Sequence, residues 1–156
     1  MHTPLERVLV MILLGAGLKR NELINLTKNN IDISDPLYPF VKIEAGESYK
    51  TRKARLPVDF IQAYKDYLET YNPDKPEDPL FKRTERTINN ILKSIAERAL
   101  IFKKVSCQIL RDTFAVQSLL AGESIDDVLK KLGLAPDPEN REIAEKYKRL
   151  SEFSRN

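Results

Sequence analysis

Arg111 sits among apolar neighbours on a single helix, and that placement is the first chemical signal in this sequence. The stretch Cys107-Gln108-Ile109-Leu110-Arg111-Asp112-Thr113-Phe114-Ala115 opens a helix that Ser106 can cap. Ile109, Leu110, Phe114, Val116, Leu119 and Leu120 follow at helical spacing, and Gly122 is a natural stop. An arginine is rarely buried without an anion to meet it. That anion is either a carboxylate of the chain, Asp112 foremost, or one supplied by a ligand. Tyr147 is the second signal. It shares an apolar stripe with Ile143 and Leu150, so both a packing role and a nucleophilic role fit. An unperturbed phenol, with a pKa of about 10, attacks poorly at neutral pH unless cations stand beside it.

Cations do cluster. Lys50, Arg52, Lys53 and Arg55 follow one another with no acidic residue between them. Alternation along a strand puts Lys50 and Arg52 on one face and Lys53 and Arg55 on the other. Such a strand is either a solvated edge protected by charge or a phosphate-contacting finger. Lys82, Arg83, Arg86, Lys103 and Lys104 add further basic positions. Histidine is almost missing, because His2 is the only one. Zinc sites built on histidine, Cys–His pairs and Ser–His–Asp triads are thereby excluded. Any chemistry falls to Lys, Arg, Tyr or carboxylates.

The elements that must position these groups are mostly helices. Thr3-Pro4-Leu5-Glu6 is a capping box with proline at the first helical position, and its helix runs to Gly15-Ala16-Gly17. A second helix runs from about Lys19 through Leu23 and Leu26. Asp35 to Pro39 is a turn, Phe40–Glu44 a strand, Gly46-Glu47-Ser48 a turn, and Tyr49–Leu56 the returning strand of a hairpin. Asp59 caps a helix with Phe60, Tyr64, Tyr67, Leu68 and Tyr71. Ile88, Ile91, Leu92 and Ile95 mark the next, which precedes the Arg111 helix. Ser124 caps a short helix ending at Gly133, and a last helix carries Ile143, Ala144, Tyr147, Leu150 and Phe153. The expected fold class is mainly α with a small antiparallel β-hairpin or sheet.

With 156 residues, 42% of them hydrophobic and 31% charged, the chain suits a single domain with a real core. Net charge is only +3, so a basic surface must come from clustering. Cys107 is the one cysteine, which rules out an internal disulfide and fits a reducing compartment. Val8–Ala16 is too short and too closely flanked by charge for a signal peptide or a membrane span. The expectation is a soluble intracellular domain.

In this order the segments resemble the catalytic domain of the tyrosine recombinases, the phage integrase family. Gly17-Leu18-Lys19-Arg20-Asn21-Glu22-Leu23 is similar to that family's Gly-Leu-Arg-x-x-Glu-Leu segment. Lys50-Thr51-Arg52-Lys53-Ala54-Arg55-Leu56-Pro57-Val58 is similar to its lysine-bearing hairpin. Gln108 to Ala115 resembles its His-x-Leu-Arg-His-Thr-Phe-Ala box, and Tyr147 takes the place of its nucleophile. Three site positions depart from the pattern. Lys19 stands for the first arginine, with Arg20 one place late. Gln108 stands for the box histidine, and Leu134 for a later His or Trp.

The resemblance implies a fold, an activity and a set of roles. Tyr147 would attack a DNA phosphate in line, leaving a 3′-phosphotyrosyl link and a 5′-hydroxyl. Arg111, with Lys19 or Arg20, would neutralise charge on the non-bridging oxygens, and Lys50 would protonate the leaving oxygen. Lys19 holds the family's register and is the expected site cation, supported by the backbone amides of the second helix. Gln108 would hydrogen-bond the phosphate, while Arg20, Arg52, Lys53 and Arg55 would contact DNA. No cofactor or metal is implied. The implied partners are double-stranded DNA and further copies of the chain, a tetramer on DNA and a monomer off it, with no membrane. The implied setting is the cytoplasm, at the nucleoid of a prokaryote or with its virus or plasmid. Residues 1–156 are expected to be one catalytic domain without the family's N-terminal DNA-clamping domain. The alternative left open is a degenerate recombinase-fold module that binds DNA without cutting it.

Overall fold

The computed structural model describes residues 2–44 and 50–155. Thr3 and Glu6 cap α1 (Pro4–Ala16) reciprocally, each side chain taking the other's backbone N–H at 3.2 Å. A capping group of this kind stabilises a helix by about 1 kcal/mol. Gly17 ends α1 in the left-handed conformation at φ 63°, and its N–H reaches Leu13 O. Val8, Leu9, Ile12 and Leu13 are fully buried, and α1 packs against α3 (Phe60–Thr70) and α5 (Cys107–Leu120). This makes α1 the central post of the larger core, to which Phe60, Tyr64 and Tyr67 of α3 and Ile88 and Leu92 of α4 (Glu85–Arg98) contribute. Tyr67 also donates to Leu80 O at 2.8 Å, tying the loop after α3 to the core.

A second, smaller cluster joins α5 to α6 (Ile125–Lys131) and α7 (Arg141–Arg155) through Ala115, Leu119, Val128, Leu132 and Tyr147. The α5 helix therefore belongs to both clusters. Its buried positions Cys107, Arg111, Ala115, Ser118 and Leu119 recur at helical spacing, which forces Arg111 inward.

The sheet is antiparallel, in the order β1 (Ile31–Asp32), β2 (Phe40–Ile43), β3 (Arg52–Arg55). The expected hairpin is present as β2 and β3, with Phe40 opposite Arg55 and Ile43 opposite Arg52. β1 is an addition, since two residues are too few to show alternation. The expected Gly46-Glu47-Ser48 turn and Tyr49 lie outside the described residues. The second helix is shorter than its pattern suggests. It spans Arg20–Ile24 as α2, with Lys19 as the N-cap. The α7 stripe is also narrower than expected. Leu150 and Phe153 are exposed, and only Ala144, Tyr147 and Ser151 are buried. No described helix is long and apolar enough to cross a membrane.

Candidate active site

Arg111 is 4% exposed, and no carboxylate lies within ion-pair distance of it among the described residues. Asp112, its expected partner, turns elsewhere. The guanidinium instead donates to Gly17 O at 2.6 Å and to Leu132 O at 2.9 Å. Both carbonyls belong to helix C-caps, of α1 and α6. Helix ends present unpaired carbonyls and the negative end of the helix dipole, so two ends together solvate a buried cation. Burial pulls the Arg111 pKa down from its ordinary value, and the negative influence of Tyr147, Glu22 and Asp112 acts in the other direction. An arginine held by dipoles alone keeps its charge and lacks a counter-anion.

Glu22 organises the neighbouring corner. One of its oxygens accepts the Lys19 N–H at 2.8 Å, so a carboxylate already occupies the amide that was expected to favour an anion. Five residues of α2 offer no further dipole site. Arg52 grips the same carboxylate in bidentate fashion, at 2.8 and 2.9 Å, and its Nε donates to Lys131 O at 2.7 Å. The Arg52 side chain is 8% exposed, so the residue expected to contact DNA is instead built into the fold. The cause is strand alternation. Arg52 and Ala54 point inward, whereas Lys53 and Arg55 point outward. Lys53 lies over the Phe40 ring and Arg55 over the Tyr38 ring, 4.8 and 4.3 Å from the centroids. Lys50 is exposed at the bend before β3.

Tyr147 reaches this region from α7 and is 2% exposed. Its hydroxyl donates to Asp112 Oδ1 at 2.8 Å. Gln108 Nε2 donates to the same oxygen at 2.9 Å, and Lys146 Nζ pairs with Oδ2 at 3.1 Å. The Lys146 ammonium is also 5.6 Å from the Tyr147 ring centroid. Burial pushes the phenol pKa well above its usual value, the hydrogen bond and charge of Asp112 push it further, and Arg111 offsets part of this. The tyrosine thus combines a packing role with a bonded, protonated hydroxyl.

The structure brings Tyr147, Arg111 and Gln108 together around Asp112, with Lys19 on the adjoining helix cap. Glu22 and Lys146 are site residues to which the sequence pattern assigns no role, and Asp112, expected to pair with Arg111, instead bonds Tyr147, Gln108 and Lys146. The single local signal for Asp112 is its spacing of four from Gln108, which places the two side chains on one helix face. Leu134 packs against the α5–α7 cluster and takes no part in a polar contact of its side chain. Beside the site runs a groove of about 920 Å³ between α2, α4 and the start of α5. Lys19, Arg20, Lys93, Lys103, Lys104 and Gln108 line it with positive and polar groups. Arg20 is held across this groove by Glu85 at 2.7 Å.

The model of the phage integrase family matches residues 3–151. The tyrosine recombinase XerA of Thermococcus onnurineus is 31% identical over 135 residues, covering 82% of this chain and 46% of that protein. The chain thus spans about half the length of the curated relatives it matches. Among solved structures, a crystal structure of XerA recombinase superposes with a TM-score of 0.74 at 22% identity, over 95% of this chain and 51% of that one. XerH site-specific recombinase, bound to its difH substrate before cleavage, gives 0.75 at 21% identity, over 97% and 45%. At these identities the two structures speak for the fold.

Proposed function

The chain belongs to the phage integrase family, and on that premise we propose that it is the catalytic domain of a site-specific tyrosine recombinase. It breaks and rejoins DNA strands through a 3′-phosphotyrosyl intermediate. The observation that carries this reading is the meeting of Tyr147 and Arg111. Two helices from different parts of the chain bring a phenol beside a buried guanidinium that has no carboxylate partner among the described residues.

The chemistry follows from the geometry. A phosphodiester attacked by the Tyr147 oxygen gathers charge on its non-bridging oxygens, and Arg111 supplies fixed positive charge in a dry setting. Lys19, half-buried at the α2 cap, supplies the second cation. Lys50 protonates the departing 5′ oxygen, and Gln108 offers the phosphate an amide donor. The link to Tyr147 conserves the energy of the broken bond, so a second strand's 5′-hydroxyl can rejoin it. Lys53, Arg55 and the lysines of the groove hold the duplex by its phosphates, with Arg20 at the flank. The Tyr147 hydroxyl must be uncovered before in-line attack, and DNA binding is the event that does so. The domain works on double-stranded DNA as part of a tetramer, in the cytoplasm of a prokaryotic cell.

A nicked duplex that loses its short 5′ fragment on cleavage traps the covalent intermediate. Wild-type chain is expected to form a DNA adduct stable to denaturation, and Tyr147→Phe to bind DNA without forming one. Binding with no adduct from the wild-type chain would instead support the non-cutting module.

A further inference from the structure

In-line attack by a phenol requires an acceptor for its proton, and the groups that often serve are missing from this site. The chain's one histidine, His2, lies beside Glu6 at the start of α1. Gln108 cannot take up a proton. Glu22 is bound on both oxygens by Arg52. We propose that Asp112 is the general base that removes the phenolic proton of Tyr147, an inference that rests on the strand-transferase reading above.

The hydrogen bond defines the direction of transfer. A carboxylate can only accept, so the Tyr147 hydroxyl is the donor across 2.8 Å, within the reach a base needs. The carboxylate is itself held from two sides. Gln108, one turn earlier on α5, fixes Oδ1, and Lys146 of α7 fixes Oδ2 and balances its charge. The Asp112 side chain is 14% exposed, which limits competition from water for the proton. Burial holds the phenol protonated, so attack without an acceptor would be slow. In the step itself, a lone pair on Tyr147 Oη forms the new P–O bond. The bond to the 5′ oxygen breaks with its electron pair, and that oxygen takes a proton from the Lys50 ammonium. The phenolic proton passes to Asp112 Oδ1, so Asp112 and Lys50 both end neutral and the phosphodiester remains a monoanion. Religation runs the same transfers backwards, with Asp112 returning its proton to the departing phenolate.

A positioning role is separable from a proton-accepting one. Asparagine keeps an oxygen that can accept the Tyr147 hydrogen bond but not its proton. With the full chain and a nicked duplex library of randomised sequence, Asp112→Asn is expected to form adducts at least about a hundredfold more slowly than wild type. Its DNA retention and thermal midpoint should remain close to wild type. Asp112→Glu, which keeps a carboxylate, should recover most of the rate. A duplex with sulfur at the bridging 5′ position needs no acid, because a thiolate leaves unprotonated. On that substrate Lys50→Ala should regain its rate while Asp112→Asn stays slow. Asp112→Asn at or above the wild-type rate would overturn the assignment, the faster case marking Asp112 as a restraint on Tyr147. Rescue of Asp112→Asn by sulfur would also overturn it, as would a folded Asp112→Glu that is inert. Wild-type chain without adducts would remove the strand-transferase reading and this inference with it, whereas wild-type adducts undiminished in Asp112→Asn would remove the inference alone.

Discussion

Lys19 and Arg20 are adjacent in the chain but have different surroundings. The Arg20 side chain is 60% exposed and paired with Glu85, whereas the Lys19 ammonium has no hydrogen-bond or ion-pair partner among the described residues. A cation already neutralised by a carboxylate is the weaker candidate for a phosphate. Lys19→Ala should therefore slow adduct formation on the order of a hundredfold or more. Lys19→Arg, with its planar fork, should match or exceed the wild-type rate, and Arg20→Ala should mainly weaken binding. Cleavage abolished in Arg20→Ala and kept in Lys19→Ala would exchange the two roles. At this scale the sequence disclosed residue types better than partners. Arg111 was legible as an arginine on an apolar helix face, whereas Tyr147, whose stripe also fits a packing role, was singled out by the family resemblance. The Tyr147–Asp112 bond was not legible, because it joins positions 35 residues apart on two helices whose packing no local pattern specifies. Arg52 misled for a related reason. Its inward partner, Glu22, lies 30 residues upstream.

Elements explain why the site holds its shape. Gly17 combines a left-handed turn with a close approach: a side chain there would run into the Phe114 ring of α5. Its carbonyl also holds Arg111. Gly17→Ala should cost about 2–4 kcal/mol, combining the left-handed penalty with overpacking, and urea unfolding would measure it. A loss under 0.5 kcal/mol, about the level of a neutral surface change, would mean that α1 and α5 are not so closely packed. The β3 strand divides its work between its faces. Lys53→Ala with Arg55→Ala should reduce the slope of log affinity against log salt by about two, one for each phosphate left without its cation. Arg52→Ala should leave that slope unchanged but destabilise the fold by about 1–3 kcal/mol, since the half-buried Glu22 carboxylate loses its bidentate charge partner. A reversed pattern would make the inward face the one that meets DNA. Helices were largely legible from caps and spacing, as Thr3, Ser106 and Ser124 each hold the expected position. The short α2 was not, because Leu26 is buried beyond the helix end in a turn that keeps the apolar spacing.

Across the whole molecule, two apolar clusters meet on α5, and buried tyrosines occur in both. Burial raises the pKa values of Tyr64 and Tyr67 to about 12, and that of Tyr147 is raised as well, by burial and by Asp112. In the unfolded chain these phenols titrate near 10. Between those values the unfolded state has released protons that the folded state keeps, so unfolding is favoured as pH rises. Stability should hold below about pH 10 and fall from there through about pH 12, and Tyr64→Phe should make the fall shallower. Urea unfolding across that range checks this, and a flat profile would contradict it. Wild-type chain trapped on a nicked duplex can be digested with protease and nuclease and the nucleotide-bearing peptide sequenced by mass spectrometry. One modified peptide is expected, carrying its nucleotide on Tyr147 through a 3′ phosphate. A link on any other residue, or DNA bound by the wild-type chain with no link at all, would contradict it.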